Sequence, residues 1–429
     1  MPHGIRANLP QFILLVVVNA FVGAMVGLER TVLPALAVER YHLVASTAIL
    51  SFIVAFGSAK ALTNYVAGVA SDRVGRKRVL VVGWIVAVPV PLLLMWAPTW
   101  NWVIVANILL GVSQGLTWST TVVMKIDLVG SKRRGLAMGL NEFAGYLAVG
   151  LSALAAGIVA ENYGLSPEPF YLGIGYVVIG LALSVFVVRE TRGFVELEEV
   201  DAINQSAQPS QSKSSLQPRE SRPSQGEIFR RTTISDRNLS ASVQAGFVNN
   251  LNDGMAWGLF PLLYASAGMN IGTIGWLVAA YPITWGIAQL VTGAASDRVG
   301  RKPLIVCGML VQAVALASTP FASSAVAFAT AAVALGLGTA LVYPTLLAAI
   351  GDASAPQWRA SAVGIYRFWR DAGYPVGALL AAAIADRLGI EIAIIVVAAI
   401  TALSGLVVAL RMTGGPASSL PGDTQHQAP

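Results

Sequence analysis

The chain has 429 residues, 55% of them hydrophobic and only 12% Asp, Glu, Lys or Arg, with a mean hydropathy of +0.67. Soluble domains carry about 25% charged residues, so this chain has too little polar surface to cover itself in water, and lipid is the implied solvent. A single cysteine, Cys307, excludes an internal disulfide framework and any paired-thiol metal or redox motif.

A span needs about 20 mostly apolar residues. Twelve candidates follow one another, beginning near Leu9, Val44, Val79, Val103, Gly135, Phe170, Leu239, Ile271, Leu304, Ala325, Ala360 and Ile390. The first run is too long for a secretory signal and lacks a small-residue cleavage site. Trp96, Trp100 and Trp102 cluster at one turn-around, as an interfacial aromatic belt does. Cys307 reads as a small apolar helix residue. With the N-terminus inside, 21 of the 28 Lys and Arg fall on the termini and cytoplasmic connections. That bias predicts both ends in the cytoplasm and explains the formal charge of +6 without nucleic acid.

The expected organisation is all-α, with two six-helix membrane halves at 1–190 and 238–412. Between them, 191–237 is rich in Ser, Gln and Pro and reads as a disordered cytoplasmic linker. Residues 413–429 read as a disordered tail.

The halves repeat. "GVASDRVGRK" begins at Gly68 and "GAASDRVGRK" at Gly293, 225 residues later. At the same offset Asp127 maps on Asp352, Arg134 on Arg359, Gly139 on Gly364 and Gly164 on Gly389. So many matches at one offset indicate a duplicated six-span unit, and parallel repeats of this kind build transporters.

Gly-x3-Asp-Arg-x-Gly-Arg-Lys after the second and eighth spans resembles the signature of the major facilitator superfamily, and the resemblance covers Leu9 to Arg411. It implies a secondary transporter with no cofactor, in which the two copies form a cytoplasmic gate. The residues concerned are Gly68, Asp72, Arg73, Gly75, Arg76, Asp127 and Arg134, with Gly293, Asp297, Arg298, Gly300, Arg301, Asp352 and Arg359 in the copy. Gly75 and Gly300 permit a tight turn, and Asp72 could meet a helix N-terminus. In the family the partner of Asp72 is the eleventh span, which starts here near Ala360, and Arg76 pairs with Asp127; such contacts would latch the two halves together.

Ionisable residues within spans are costly and point to function. The candidate substrate and proton cavity comprises Lys60, Gln114, Trp118, Glu142, Asn249, Asp253, Arg367, Arg370 and Asp371. Glu142 and Arg367 are duplicate-related, and Arg367 and Asp371 are four apart, so they share a face and can pair. The polar, Gly-containing "NNLNDG" stretch around Asp253 suggests a discontinuous helix. Glu29 and Arg30, adjacent and toward the outer end of the first span, read as structural.

Two departures weaken a multidrug-antiporter reading. Gly111 stands where many members have Arg on the fourth span, and Tyr146 where antiporters have Pro on the fifth. "KIDLVGSKRRGLAMGLNEFAGYLAVG" and "YRFWRDAGYPVGALL" resemble a bacterial branch that includes magnetosome-membrane transporters of the MamH type, which implies iron handling. No His, Cys or Met cluster suits a soft metal, so an iron chelate or an oxyanion fits carboxylates and Arg equally well. A membrane sensor on the same fold would need a soluble output domain, and only the linker is soluble. An intramembrane enzyme lacks a nucleophile and base, and no GxxxxGK[ST] loop offers ATP as the energy source. The reading is a monomeric bacterial inner-membrane transporter of a small, ionic solute, coupled to protons, with the lipid bilayer as its other partner.

Overall fold

The computed structural model describes residues 7–129, 134–194, 223–354 and 358–413, with only the backbone described at 65, 68, 69, 72, 134–138, 294, 297 and 360. These residues form helices and no strands. In the first half, α1 (Leu9–Glu39) is followed by a short α2 (Ser46–Ile49) running into α3 (Ser51–Val74). Pro89 and Pro91 divide the next rod into α4 (Arg76–Ala87) and α5 (Pro89–Trp96). Then come α6 (Trp100–Val129), α7 (Arg134–Tyr163) and α8 (Glu168–Ala182), the last extended by a π-turn to Val187.

A short α9 (Gln225–Arg230) precedes the second half. That half comprises α10 (Arg237–Ser266), α11 (Ile271–Val299), α12 (Arg301–Ser318), α13 (Ala325–Ala353), α14 (Arg359–Leu388) and α15 (Ile390–Arg411). Each of the twelve rods begins within a few residues of its expected start. Side-chain acceptors set several of these starts: Asp236 caps α10, Asn270 caps α11 and Ser324 caps α13.

Among the described residues, nine helices are apolar and long enough to cross a membrane on composition alone. The rods outside that set are α3, α10 and α14. They carry Lys60, Asp253, Arg370 and Asp371, so the charges that lower their hydropathy are the ones buried at the centre.

The duplication is visible in the backbone. Gly75 and Gly300 have φ of 98° and 96°, a region that only glycine enters freely, and each ends one helix and starts the next. Gly111 packs on Phe56 and Ala59 as Gly336 packs on Tyr281 and Thr284, each pair 225 residues on. A twelve-rod chain returns both termini to one face.

Part of the expected linker is ordered. Ser224 caps α9, Ile228 is buried, and Arg231–Ser235 continue as a π-turn, because Ile228 has an apolar wall to join. The disorder expectation is therefore corrected for 223–237. Residues 195–222 and the tail from 414 lie outside the described residues.

The halves touch along α7 with α11 and along α3 with α14. Small residues make these seams close. A Cβ on Gly157 would lie 2.8 Å from Gly275 Cα, and one on Gly57 2.7 Å from Pro375 Cδ. On the face opposite the termini, Asp386 at the end of α14 accepts from the backbone N–H groups of Ser46 and Thr47 and from the Thr47 hydroxyl. A carboxylate of one half thus caps the first turn of a helix in the other. On the termini face, Gly139, Gly293 and Gly364 have no described atom within 4 Å of where a Cβ would stand. Among the described residues, the ties that close the seams lie on the face opposite the termini.

Candidate functional site

Glu142 on α7 sits where the halves meet. Trp118 Nε1 donates to its Oε1 at 3.0 Å, Asn141 Nδ2 to the same oxygen at 3.1 Å, and Tyr343 OH to its Oε2 at 3.2 Å. Trp118 and Tyr343 are themselves 225 residues apart, so duplicate-related aromatic donors converge on one carboxylate from both halves. Arg370 Nη1 donates to the Tyr343 hydroxyl at 2.7 Å, linking Glu142 to the second half.

Arg370 also binds Asp371, with Nη2 at 2.6 Å and Nε at 2.8 Å from Oδ1, and Asn64 Nδ2 donates to Oδ2 at 2.6 Å. Asp371 is therefore paired with Arg370, not with Arg367 as the helical spacing suggested. The long side chain of the adjacent residue reaches back along α14 and occupies the carboxylate. The Nε of Arg367 is buried without a hydrogen-bond partner.

Lys60 is 8% exposed. Among the described residues its Nζ makes no hydrogen bond or ion pair, and it lies 5.3, 5.5 and 5.6 Å from the ring centroids of Trp118, Tyr374 and Phe56. Aromatic faces attract the ammonium while leaving its three N–H donors without acceptors. Its duplicate position is Trp285, which stacks on Tyr146 at 3.5 Å between centroids, and Tyr146 is the duplicate of Asp371. One side of this pseudo-twofold centre is thus aromatic and the other ionic.

Deeper toward the sealed face, Arg30 binds Asp253 in a two-pronged pair, Nη1 to Oδ1 at 3.0 Å and Nη2 to Oδ2 at 3.2 Å, both side chains buried. Tyr374 also donates to Asp253. The pair joins α1 of one half to α10 of the other. Glu29 and Arg30 are consequently not a local surface pair: they lie about 15 Å in from the end of α1 at 1.5 Å per residue. Glu29 is fully buried, with neither carboxylate oxygen hydrogen-bonded.

Two expected cavity residues belong to packing. Gln114 donates to Val22 O at 2.7 Å, tying α6 to α1. Asn249 accepts from Gln312 at 3.0 Å, inside the second half. Nor is α10 discontinuous. Gly254 serves instead to let the helix approach the Tyr374 carbonyl. A residue missed by sequence is Lys125, buried on α6 and donating to Leu15 O at 3.0 Å. Its mid-span position was the available signal.

Among the described residues, Arg76 and Arg301 of the repeated stretch each pair with a carboxylate of their own half. Arg76 Nε lies 3.2 Å from Asp127 Oδ2, Thr191 donates to the same oxygen, and Arg76 Nη1 reaches Ser71 O. Glu190, not foreseen, accepts from the backbone N–H groups of Arg76 and Lys77 at 3.0 Å each, capping α4. In the copy, Arg301 Nε lies 3.0 Å from Asp352 Oδ2, and Arg301 also meets Ser296. Arg359 donates to Ser354 O, while Arg73 and Arg298 are exposed. The Arg–Asp pairs therefore brace single halves and do not join one half to the other. The side chains of Asp72, Arg134 and Asp297 and the surroundings of Gly68 lie outside the description.

Solved structures share this architecture at low identity. The human organic anion transporter MFSD10 (TETRAN) superposes with a TM-score of 0.66 and 14% identity, covering 93% of this chain and 99% of that one. A peptide transporter of the POT family gives 0.69 and 13%, covering 93% of each. Among curated proteins, multidrug resistance protein MdtH of Aeromonas hydrophila subsp. hydrophila is 30% identical over 130 residues, 29% of this chain and 33% of MdtH. The MFS-type transporter YwoD of Bacillus subtilis is 26% identical over 107 residues, 25% of this chain and 24% of YwoD. These matches span a third or less of each relative's length. The family model of the Major Facilitator Superfamily matches residues 13–233 and 244–428, nearly the whole chain. Duplicated halves, a repeated turn motif and that match agree: this multi-pass membrane protein belongs to the Major Facilitator Superfamily, a family of transporters and not of enzymes.

Proposed function

We propose that the protein is a monomeric secondary transporter that moves a small anionic solute across a bacterial inner membrane by alternating access. Proton exchange at Glu142 or Asp371 supplies the drive. The observation that carries this reading is Lys60, a buried ammonium that makes no hydrogen bond or ion pair among the described residues. Around it stand Arg370, Asp371 and Glu142, with Arg370 paired to Asp371 and Arg30 and Asp253 neutralising each other. A bound carboxylate, phosphate or similar anion uses the unpaired ammonium donors. An anionic iron chelate falls within the same class, in line with the resemblance to the magnetosome branch.

A carboxylate changes protonation when burial and neighbouring cations change. Glu142 and Asp371 each sit beside groups from the opposite half: Tyr343 for Glu142, Asn64 for Asp371. Rocking of the halves changes those neighbours, which is what proton coupling requires. The MdtH similarity favours a second reading as a multidrug/proton antiporter. Against it, Gly111 holds α6 tight on α3 beside Lys60, where an Arg has no room.

Proteoliposomes with an imposed pH gradient test both readings. The expected result is uptake of small carboxylates, phosphate or ferric citrate by the wild type, loss with Lys60→Gln, and gradient-independent exchange with Glu142→Gln. Uptake confined to lipophilic cations would overturn the anion reading. The basic-residue bias supports cytoplasmic termini, so reporters fused after Ala97 and Glu161 should be periplasmic; a cytoplasmic signal contradicts that orientation.

A further inference from the structure

A second feature lies far from the charged centre. A groove of about 1030 Å³ follows the membrane-facing side of α12, bordered by α13 above and by Ala409 of α15 below. Its α12 lining recurs every three or four residues, the period of one helix face. The wall from α13 is made of Ala327, Thr330, Ala331 and Ala334, at intervals that also share one face, so short side chains leave a hollow where neighbouring surfaces carry Leu, Val and Phe. At the termini end the groove begins with Lys302.

Lys302 makes no hydrogen bond or ion pair among the described residues. Its neighbour Arg301 is held by Asp352 and Ser296, so that carboxylate is already engaged. An unneutralised ammonium at the mouth of an apolar trough calls for a ligand with an anionic head and an apolar tail. From Lys302 to Ser318 the helix rises about 24 Å, most of the ~30 Å hydrocarbon thickness. The Lys302 end therefore lies at headgroup level.

We propose that this groove binds an anionic phospholipid of the leaflet on the termini face, its phosphate on Lys302 and an acyl chain along α12. A second copy of the chain is a poorer occupant. A twofold dimer through this face would set Lys302 at the same height as its own symmetry mate and give neither ammonium an anionic partner.

The chain's single cysteine supplies a probe, because Cys307 lines the groove and is exposed. The full-length protein would be placed in nanodiscs of phosphatidylcholine alone, or with added phosphatidylglycerol. Alkylation of Cys307 and the lipids retained in native mass spectrometry would then be measured. One lysine near an anionic surface is worth about 1 kcal/mol, so the expected result is about five-fold preferential retention of phosphatidylglycerol and slower alkylation in its presence. Both effects should vanish with Lys302→Gln and persist with Lys302→Arg. Because Lys302 makes no hydrogen bond or ion pair among the described residues, the Gln variant should fold normally. Equal retention of the two lipids, or retention unaffected by Lys302→Gln, overturns the proposal. So does a dimer whose Cys307 is protected without anionic lipid, which assigns the groove to a second copy.

Discussion

Lys60 and Arg30 meet the cost of a buried cation in opposite ways. Arg30 is matched by Asp253 with two hydrogen bonds, whereas Lys60 is held only by ring faces. Removing one partner of a buried pair leaves the other charge uncompensated, a loss of about 3–5 kcal/mol. An aromatic contact with a cation contributes about 0.5–2 kcal/mol. Asp253→Ala should therefore lower the thermal unfolding temperature of the detergent-solubilised protein well below that of Lys60→Gln. Equal losses would mean that Lys60 is a structural residue and not a vacant ligand donor. Sequence reading found every charge in this layer except Lys125, because each interrupts an apolar run. It could not find their partners. Arg30 and Asp253 are 223 residues apart, and nothing in helical periodicity says which face of α1 meets α10. The convergence of Trp118 and Tyr343 on Glu142 was within reach, since both obey the same 225-residue offset as the repeated motif.

At the scale of elements, the rods and their starts were legible because apolar runs, cap residues and glycine turns are local. The brace inside each half was only partly so. Spacing pointed to Arg76 and Asp127, but Glu190 comes to α4 from the end of the sixth rod by tertiary folding. The seal opposite the termini was not visible at all. Asp386 looks like an ordinary polar residue at a helix end, and its three partners lie some 340 residues away. Hydrogen bonds to a charged group contribute about 1.5–3 kcal/mol each, so Asp386→Ala should shift the resting population toward opening on that face. A cysteine placed at Tyr374, in a Cys307→Ala background, should then react faster with a membrane-impermeant reagent added from that side. An unchanged rate would show that the small-residue seams alone keep the face closed.

On the scale of the whole molecule, two six-helix bodies pack along α7 with α11 and α3 with α14, and Glu142, Lys60 and Asp371 cluster between them. The seams are tight on one face, through Gly157 with Gly275 and Asp386 with α2, while on the other Gly139, Gly293 and Gly364 have no described atom within 4 Å of a Cβ position. If the bodies rock as units, opening one face must close the other. Distances between spin labels test this most directly. In the Cys307→Ala protein, one label pair would sit at Val74 and Val299 on the termini face, and another at Val44 and Leu388 on the opposite face, all four positions being exposed. Changing pH, or introducing Asp386→Ala, should shorten the first distance as it lengthens the second, with the two populations exchanging in equal proportion. Distances that lengthen together, or a second distance that changes while the first does not, would contradict rigid-body alternating access about the central site.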